Sequence, residues 1–465
     1  MIVMKFGGTS NKDAAAMSNV IRIVKDHLPQ RPVVVISAIA KATNELEESA
    51  RTAASGDATG AEEILSRLFA RHGEIVRNLL RNPARVAGLM SAFSSYGAEI
   101  RKLVQGVAVL KELTPRTLDA FCSYGERLSS RIIAAGLEES GVAASWIDVK
   151  DFMLTDDNFG RALPLTDAVT TNLERVFRPL IGKGIVPVTQ GFIGISRDGI
   201  YTTMGRESSD YSASIIGACM NAERVQIWTD VDGILTADPR MVGDVMKVQR
   251  MSFEEAFELS YFGAKILHPN TMLPLLEKNI PVEIRNSRRE GGTGTLVNLP
   301  AQDRTSAPLV KSIAFKNDVT VVTVSPLKRL NPYLFWESIF SVLNRCGITT
   351  GNVSTSEYSI AFTIDGDAGI DTLQQELERY GNVTILAGKG SVCIVGSCLR
   401  GGAGLLDRVF KVLSDVNITM VAYGASAMNF TLVVDGNRVK DVLTRLHREF
   451  FGDHAHDDVF SAPVN

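Results

Sequence analysis

The sequence predicts an α/β protein in which a mostly parallel sheet, sandwiched by helices, is followed by two small α+β domains. Three observations predict it. Short apolar runs alternate with helical stretches over the first 300 residues, a turn-rich segment follows, and beyond it one pattern occurs twice.

Strands are expected at residues 2–6, 33–36, 145–149, 185–189, 225–228 and 281–284. These runs are nearly continuously apolar, as strands covered on both faces are. Helices are expected between them, at 14–27, 126–140 and 210–220 among others, and 51–111 reads as an inserted helical region. The polar, Gly/Pro-containing stretch from Arg288 to Pro308 marks a domain boundary. Beyond it, Phe340 and Phe410, Leu343 and Leu413, Ile348 and Ile418, Ser356 and Ser426, and Asp365 and Asp435 all share one offset. Each copy reads strand, helix, strand, strand, helix, the first at 319–324, 336–345, 348–353, 358–364 and 373–380. The domains expected are therefore 1–300, 301–388 and 389–465. The second copy lacks a closing strand, and residues 309–315 are the candidate to supply it, interlacing the two copies.

Composition narrows the function. A net charge of -3 leaves no basic footprint for nucleic acid or an anionic membrane. The longest apolar run, near residues 33–40, falls short of the roughly 20 residues a membrane helix needs. The N-terminus opens on a strand-like run without the regions of a signal peptide. The five cysteines, Cys122, Cys219, Cys346, Cys393 and Cys398, are not in metal spacing and read as reduced thiols. A cytoplasmic protein is expected.

The chemistry begins at Met4-Lys5-Phe6-Gly7-Gly8-Thr9-Ser10, between the first strand and a helix. Glycines there let backbone approach a phosphate, and a helix N-terminus offers free N–H groups. The lysine precedes the glycines, so this is not a Walker A loop. Six further motifs follow in order: Val35 to Asn44; Leu113 to Asp119, running into Ser123-Tyr124-Gly125-Glu126-Arg127; Gly191 to Gly194; Thr202 to Ser212; Trp228 to Arg240; and Phe262 to Pro269.

In this order the motifs closely resemble those of the aspartate kinases, members of the amino-acid kinase superfamily, and the duplicated tail resembles their paired ACT domains. The resemblance covers essentially the whole chain. It implies an amino-acid kinase fold and ATP-dependent phosphorylation of the β-carboxylate of L-aspartate to 4-phospho-L-aspartate, the first step of the aspartate-derived amino-acid pathway. The chain ends at Asn465, soon after the second repeat, so a monofunctional enzyme is expected.

The residue types suit that chemistry. A β-carboxylate, with an ordinary pKa near 4, is already ionised and needs no general base. The barrier lies in bringing it up to a polyanion, so positioning and positive charge dominate. Lys5 and Lys265 are the candidates for the β- and γ-phosphates, with Gly7, Gly8 and Thr9 at the phosphate turn and Mg²⁺ bridging the phosphates. No protein metal site is expected. Arg206 matches the α-carboxylate of aspartate bidentately and Glu126 its ammonium. Ser37, Thr43 and Ser209 add neutral hydrogen bonds, and Asp210 orients Lys5 or the metal. By resemblance, Thr229, Asp230, Leu235, Arg240 and Ile266 line the nucleotide site. Two positions depart from the family: Glu207-Ser208 follows Arg206 where Gly-Gly is common, and Leu235 stands where some relatives have tyrosine.

In the resembled enzymes an amino-acid effector binds between ACT domains, often at a dimer interface. The candidates here are Phe335 and the polar loop holding Gly351, Asn352, Thr355, Ser356 and Glu357. Phe335, Ile339 and Leu343 also share one helix face, which is the pattern of core packing. Lysine-sensing relatives tend to have aspartate at the place of Gly351, which keeps threonine beside lysine as an effector. A homodimer or higher homo-oligomer through the repeats is expected. Two rivals stay open: a kinase of glutamate or an N-acetylated amino acid, and a catalytically silent amino-acid sensor. His268 reads as structural, and His454 and His456 as part of a solvated terminus.

Overall fold

The computed structural model describes residues 1–205, 208–262, 269–289, 292–298, 309–327, 331–367, 369–401, 403–452 and 459–463. It divides into two compact units. The first comprises Met1–Ile234 and Leu267–Leu299, and the second Leu235–Ile266 and Pro300–Asn465.

The first unit is built on a sheet whose strands run in the order Ala144–Trp146, Val186–Gln190, Pro32–Ile36, Ile2–Phe6, Arg224–Thr229, Val282–Asn286 and Thr295–Asn298. All neighbours are parallel except the last pair. Every residue of Ile2–Phe6 and Pro32–Ile36 is buried, which is why these strands read as unbroken apolar runs. The inserted region folds as three helices, Ala42–Ala54, Ala58–Leu79 and Pro83–Leu110. Asp57 and Asn82 start the second and third by accepting first-turn N–H groups.

Two local expectations are corrected. The helix expected from residue 126 begins eleven residues earlier, as Pro115–Glu139, because Thr114 caps it and Pro115 occupies its first turn. The strand expected at 145–149 stops at Trp146, because the Asp148 side chain accepts the Lys150 N–H and turns the chain into a short 3₁₀ helix.

The second unit carries a six-stranded sheet in the order Thr350–Thr355, Ile360–Asp365, Leu309–Pro326, Gly381–Ser397, Asn429–Asp435 and Ile418–Tyr423. Its two central strands are long and pair antiparallel throughout. Both break near the middle, with a register shift between Lys316 and Val319 and positive φ at Asp318 and Gly388. One half of each therefore pairs within each repeat: Val319–Val324 with Ile360–Asp365, and Lys389–Val395 with Asn429–Asp435. Leu343 and Leu413, equivalent in the repeat, are both buried. Residues 235–262 join this unit through local contacts. Met246–Val248 pairs with the C-terminal strand Phe460–Pro463, and Thr236 Oγ1 lies 2.9 Å from His447 Nε2. Among the described residues no helix is long and apolar enough to cross a membrane.

Candidate functional site

The site of the first unit grows from the carboxyl ends of Ile2–Phe6 and Pro32–Ile36. The Gly7 N–H donates to Trp228 O at 3.2 Å, and Gly8 opens a 3₁₀ turn, Gly8–Asn11. A Cβ on Gly8 would stand 2.9 Å from the Ala38 carbonyl oxygen, so only glycine permits this approach. Asn11, fully buried, donates through Nδ2 to Phe6 O (3.3 Å) and Gly7 O (3.0 Å), holding the turn in shape.

Lys5 is the last side chain but one on its strand, and it is buried. Its ammonium meets Asp210 Oδ1 at 2.5 Å and lies 3.6 Å from where a Gly7 Cβ would be. Asp210 is in the first turn of Ser209–Cys219, at the positive end of the helix dipole. That helix start is brought against the sheet by Gly191, whose N–H donates to Ile36 O at 3.0 Å. A Cβ on Gly191 would come within 2.8 Å of Ser209 Cβ.

The next strand end holds the aspartate candidates. The Ser37 N–H donates to Phe6 O at 3.1 Å, and Ser129 Oγ donates to Ser37 O at 2.8 Å. Glu126, 3% exposed, accepts the Ala38 N–H through Oε1 at 3.1 Å. Its Oε2 is buried and has no hydrogen-bond partner among the described residues. Burial pushes its carboxyl up to about 8, with the Ala38 N–H opposing. Thr43 Oγ1 lies 3.9 Å from the Cβ position of the neighbouring Gly125. Lys5, Gly7, Gly8, Ser37, Thr43, Glu126, Ser209 and Asp210 are thus linked through adjoining strand ends, a turn and three helices. Arg206 lies outside the described residues.

The nucleotide candidates divide. Thr9 is exposed and lines an open cleft of about 600 Å³ with Lys12, Arg22 and Arg288. Thr229 ends the Arg224–Thr229 strand, its carbonyl accepting Ser287 N–H (2.8 Å), and Asp230 pairs with Arg288 at 3.4 Å. Leu235 and Arg240 belong to the second unit. Arg240 folds back on Asp238 at 2.6 Å in an exposed turn. Lys265 and Ile266 lie outside the described residues, as do His268, His454 and His456. Among the described residues no cluster of histidine, cysteine, aspartate and glutamate could hold a metal ion.

Of the effector candidates, Phe335 is buried in the core with Ile339 and Leu343. Gly351 and Asn352 are half-buried on the edge strand Thr350–Thr355, and the Asn352 N–H donates to Thr363 Oγ1 at 2.8 Å. Thr355, Ser356 and Glu357 are exposed.

Sequence reasoning left two buried side chains without a role. Asn11 was visible only as a polar residue after the glycines. Asp119 closed a motif whose purpose sequence did not reveal.

Residues 1–286 match the amino acid kinase family, and residues 392–450 match an ACT domain. The chain is 34% identical to lysine-sensitive aspartokinase 3 of Escherichia coli, covering 97% of this chain and 99% of that one. It is likewise 34% identical to the chloroplastic aspartokinase 1 of Arabidopsis thaliana, over 97% of this chain and 80% of that one. The crystal structure of E. coli aspartokinase III with aspartate and ADP superposes with a TM-score of 0.81, covering 97% of this chain and 100% of that chain at 34% identity. The same enzyme with lysine and aspartate gives 0.82. This chain belongs to the amino acid kinase family, and within it to the aspartate kinases.

Proposed function

We propose that this kinase transfers the γ-phosphoryl group of ATP to the β-carboxylate of L-aspartate, forming 4-phospho-L-aspartate at the head of an aspartate-derived biosynthetic route in the cytoplasm. The observation that carries the reading is the buried Lys5 ammonium, held by Asp210 beside a turn that only glycine can make. A β-carboxylate oxygen attacks the γ-phosphorus, the bond to the β–γ bridging oxygen breaks, and ADP leaves with that electron pair. Lys5 and Lys265 offset the negative charge, and the Gly7–Gly8–Thr9 turn receives the phosphates. The polar turn and the acidic Asp210 suit a nucleotide that arrives with Mg²⁺, which supplies further positive charge at the phosphates. Glu126 takes the substrate ammonium and Arg206 its α-carboxylate, with Ser37, Thr43 and Ser209 beside them. Thr229, Asp230, Leu235, Arg240 and Ile266 serve the nucleotide.

The relative solved with lysine supports lysine as the effector, with threonine as the rival, acting through the loop of Gly351, Asn352, Thr355, Ser356 and Glu357. Residues 301–388 and 389–465 would form two interlaced ACT domains through which the chain forms a homodimer or larger assembly.

The direct test is Mg·ATP-dependent acyl phosphate, trapped with hydroxylamine, from L-aspartate and from L-glutamate, each with added lysine or threonine. Aspartate-dependent product suppressed by lysine is expected. No product from aspartate would overturn the kinase reading, and suppression by threonine alone would reassign the effector. Lys5→Met should lower kcat by about a hundredfold or more, as loss of a transition-state charge contact does. Retention of a tenth of the wild-type rate would remove Lys5 from the phosphate site.

A further inference from the structure

Asn11 ends the Gly8–Asn11 turn, is fully buried, and folds its side chain back across that turn. Its Nδ2 donates to Gly7 O at 3.0 Å and to Phe6 O at 3.3 Å, and reaches Ser37 O at 3.5 Å. All three neighbours are carbonyl oxygens, so only the NH₂ side of the amide can face them. One side chain thereby gathers the carboxyl ends of two adjoining strands, Ile2–Phe6 and Pro32–Ile36.

Stability does not account for this amide. Each of the three carbonyls has another donor: the Ser37 N–H serves Phe6 O at 3.1 Å, the Ser10 N–H serves Gly7 O at 3.0 Å, and the Ser129 hydroxyl serves Ser37 O at 2.8 Å. Removing Nδ2 therefore leaves none of them unpaired. Asn11 Oδ1, moreover, is buried with no hydrogen-bond partner among the described residues, and a buried unpaired acceptor is a cost to folding.

What the amide governs is the set of two peptide planes. In a trans peptide the C=O and the following N–H lie in one plane and point opposite ways. Holding Gly7 O against Asn11 therefore directs the Gly8 N–H, a proposed phosphate donor, to the other side of its peptide. Ser37 O shares its plane with the Ala38 N–H, which donates to Glu126 Oε1 at 3.1 Å. A single NH₂ group thus holds one plane of the phosphate half and one plane of the aspartate half. Each half also has contacts of its own: Lys5 with Asp210 on one side, and Ser129 with Ser37 on the other.

We infer that Asn11 is a positioning residue that fixes the Gly7–Gly8 and Ser37–Ala38 peptides relative to one another, and so keeps the γ-phosphoryl group and the attacking carboxylate in line. The inference rests on the roles proposed above for Lys5, Gly8, Ser37 and Glu126. Because each half keeps its own contacts, loss of Asn11 spares the binding of either substrate alone. It is felt when both are bound and must react, and so in kcat.

The experiment uses Asn11→Leu, which keeps a side chain branched at Cγ, and the smaller Asn11→Val; neither can donate to the three carbonyls. Lys5→Met and Glu126→Gln run beside them as reporters of the phosphate and aspartate halves. Expected for the Asn11 variants are a kcat lowered by about tenfold or more, as small misalignments of reacting groups produce, with Kd and KM for ATP and for aspartate each within about threefold of wild type. The melting temperature should stay within a few degrees of wild type. Asn11→Val decides the matter if the larger leucine does not fit. A kcat at the wild-type level per folded molecule refutes the positioning role, and so does a tenfold rise in one KM with kcat unchanged, which would confine Asn11 to one half. In either case a kcat lost in Lys5→Met and an aspartate KM raised in Glu126→Gln leave the proposed site standing. If Lys5→Met keeps its kcat and Glu126→Gln its aspartate KM, the two halves are themselves misassigned and the inference falls with them.

Discussion

The carboxyl of Glu126 allows a quantitative pH prediction. It is buried, one oxygen has no partner, and its pKa is pushed up to about 8 by desolvation. Below that pH the group is a neutral acid, whereas the substrate ammonium proposed to bind it needs the carboxylate. Binding therefore has to expel a proton, and apparent affinity is reduced by the fraction of enzyme already ionised. With a value of about 8, that factor is about 100 at pH 6, about 11 at pH 7 and close to 1 at pH 9. The KM for aspartate, measured at saturating ATP, should fall roughly tenfold from pH 6 to 7 and level off above pH 8. Calorimetry in two buffers of different ionisation enthalpy should find close to one proton released per aspartate bound at pH 6 and none well above pH 8. The KM for ATP should not follow this curve. Glu126→Gln should raise the aspartate KM and flatten its pH dependence. A wild-type KM constant between pH 6 and 8, with no proton released, would refute the reasoning: either the carboxyl is ionised before substrate arrives or the ammonium binds elsewhere.

Other perturbations follow from single contacts. Gly8→Ala places a Cβ 2.9 Å from the backbone oxygen of Ala38, which cannot rotate away, so the KM for ATP should rise by about tenfold or more; an unchanged value would remove Gly8 from the phosphate turn. His72 is fully buried, its Nδ1 lies 2.7 Å from Leu68 O, and desolvation lowers its pKa to about 4. The unfolded chain thus takes up its proton first, and stability present above pH 6.5 is lost as pH falls toward 4. His72→Leu should flatten that acid limb by about 2–3 kcal/mol in urea titrations at pH 7 and 4.5. Deleting residues 459–465 removes the strand paired with Met246–Val248 and uncovers Phe451, against which Phe460 packs edge-on with ring centroids 5.5 Å apart. Losing one buried phenylalanine costs roughly 2–3 kcal/mol, and calorimetry should show the regulatory unit melting several degrees lower.

The parallel sheet was legible because its strands are buried on both faces, so Ile2–Phe6 and Pro32–Ile36 carry an apolar pattern that few other elements share. The duplication was legible because equivalent core positions such as Leu343 and Leu413 recur at fixed spacing. Helix starts were less so. The polar beginning of Pro115–Glu139 hides its helical period, and only Thr114-Pro115 signals it. Lys5 and Asp210 were both picked out from motif chemistry, but their meeting at 2.5 Å depends on a helix start drawn in by Gly191. Asp119 and Asn11 were hidden for a different reason. Most of their partners are backbone groups, which no residue type announces, and those of Asp119 lie 41 and 84 positions away.

The same limit conceals where residues 235–262 belong. They follow the Arg224–Thr229 strand in sequence, yet several of their bonds run to the C-terminal part of the chain. Ser312 Oγ donates to Leu235 O at 2.8 Å, Ile313 N–H to Thr236 O at 2.8 Å, and Lys311 pairs with the buried Glu255 at 2.7 Å. At the far end of this segment, the Tyr261 hydroxyl donates to Thr350 O at 2.8 Å. Thr350 begins the edge strand that carries Gly351 and Asn352. The proposed effector loop and two proposed nucleotide residues, Leu235 and Arg240, therefore belong to one compact unit. An effector that binds two arrangements of the loop unequally must bias whatever is bonded to it, and Tyr261 is bonded to it directly. The Tyr261 hydrogen bond to Thr350 O joins the helix that ends at Tyr261 to the edge strand of the loop, so a shift of one is transmitted to the other within this unit.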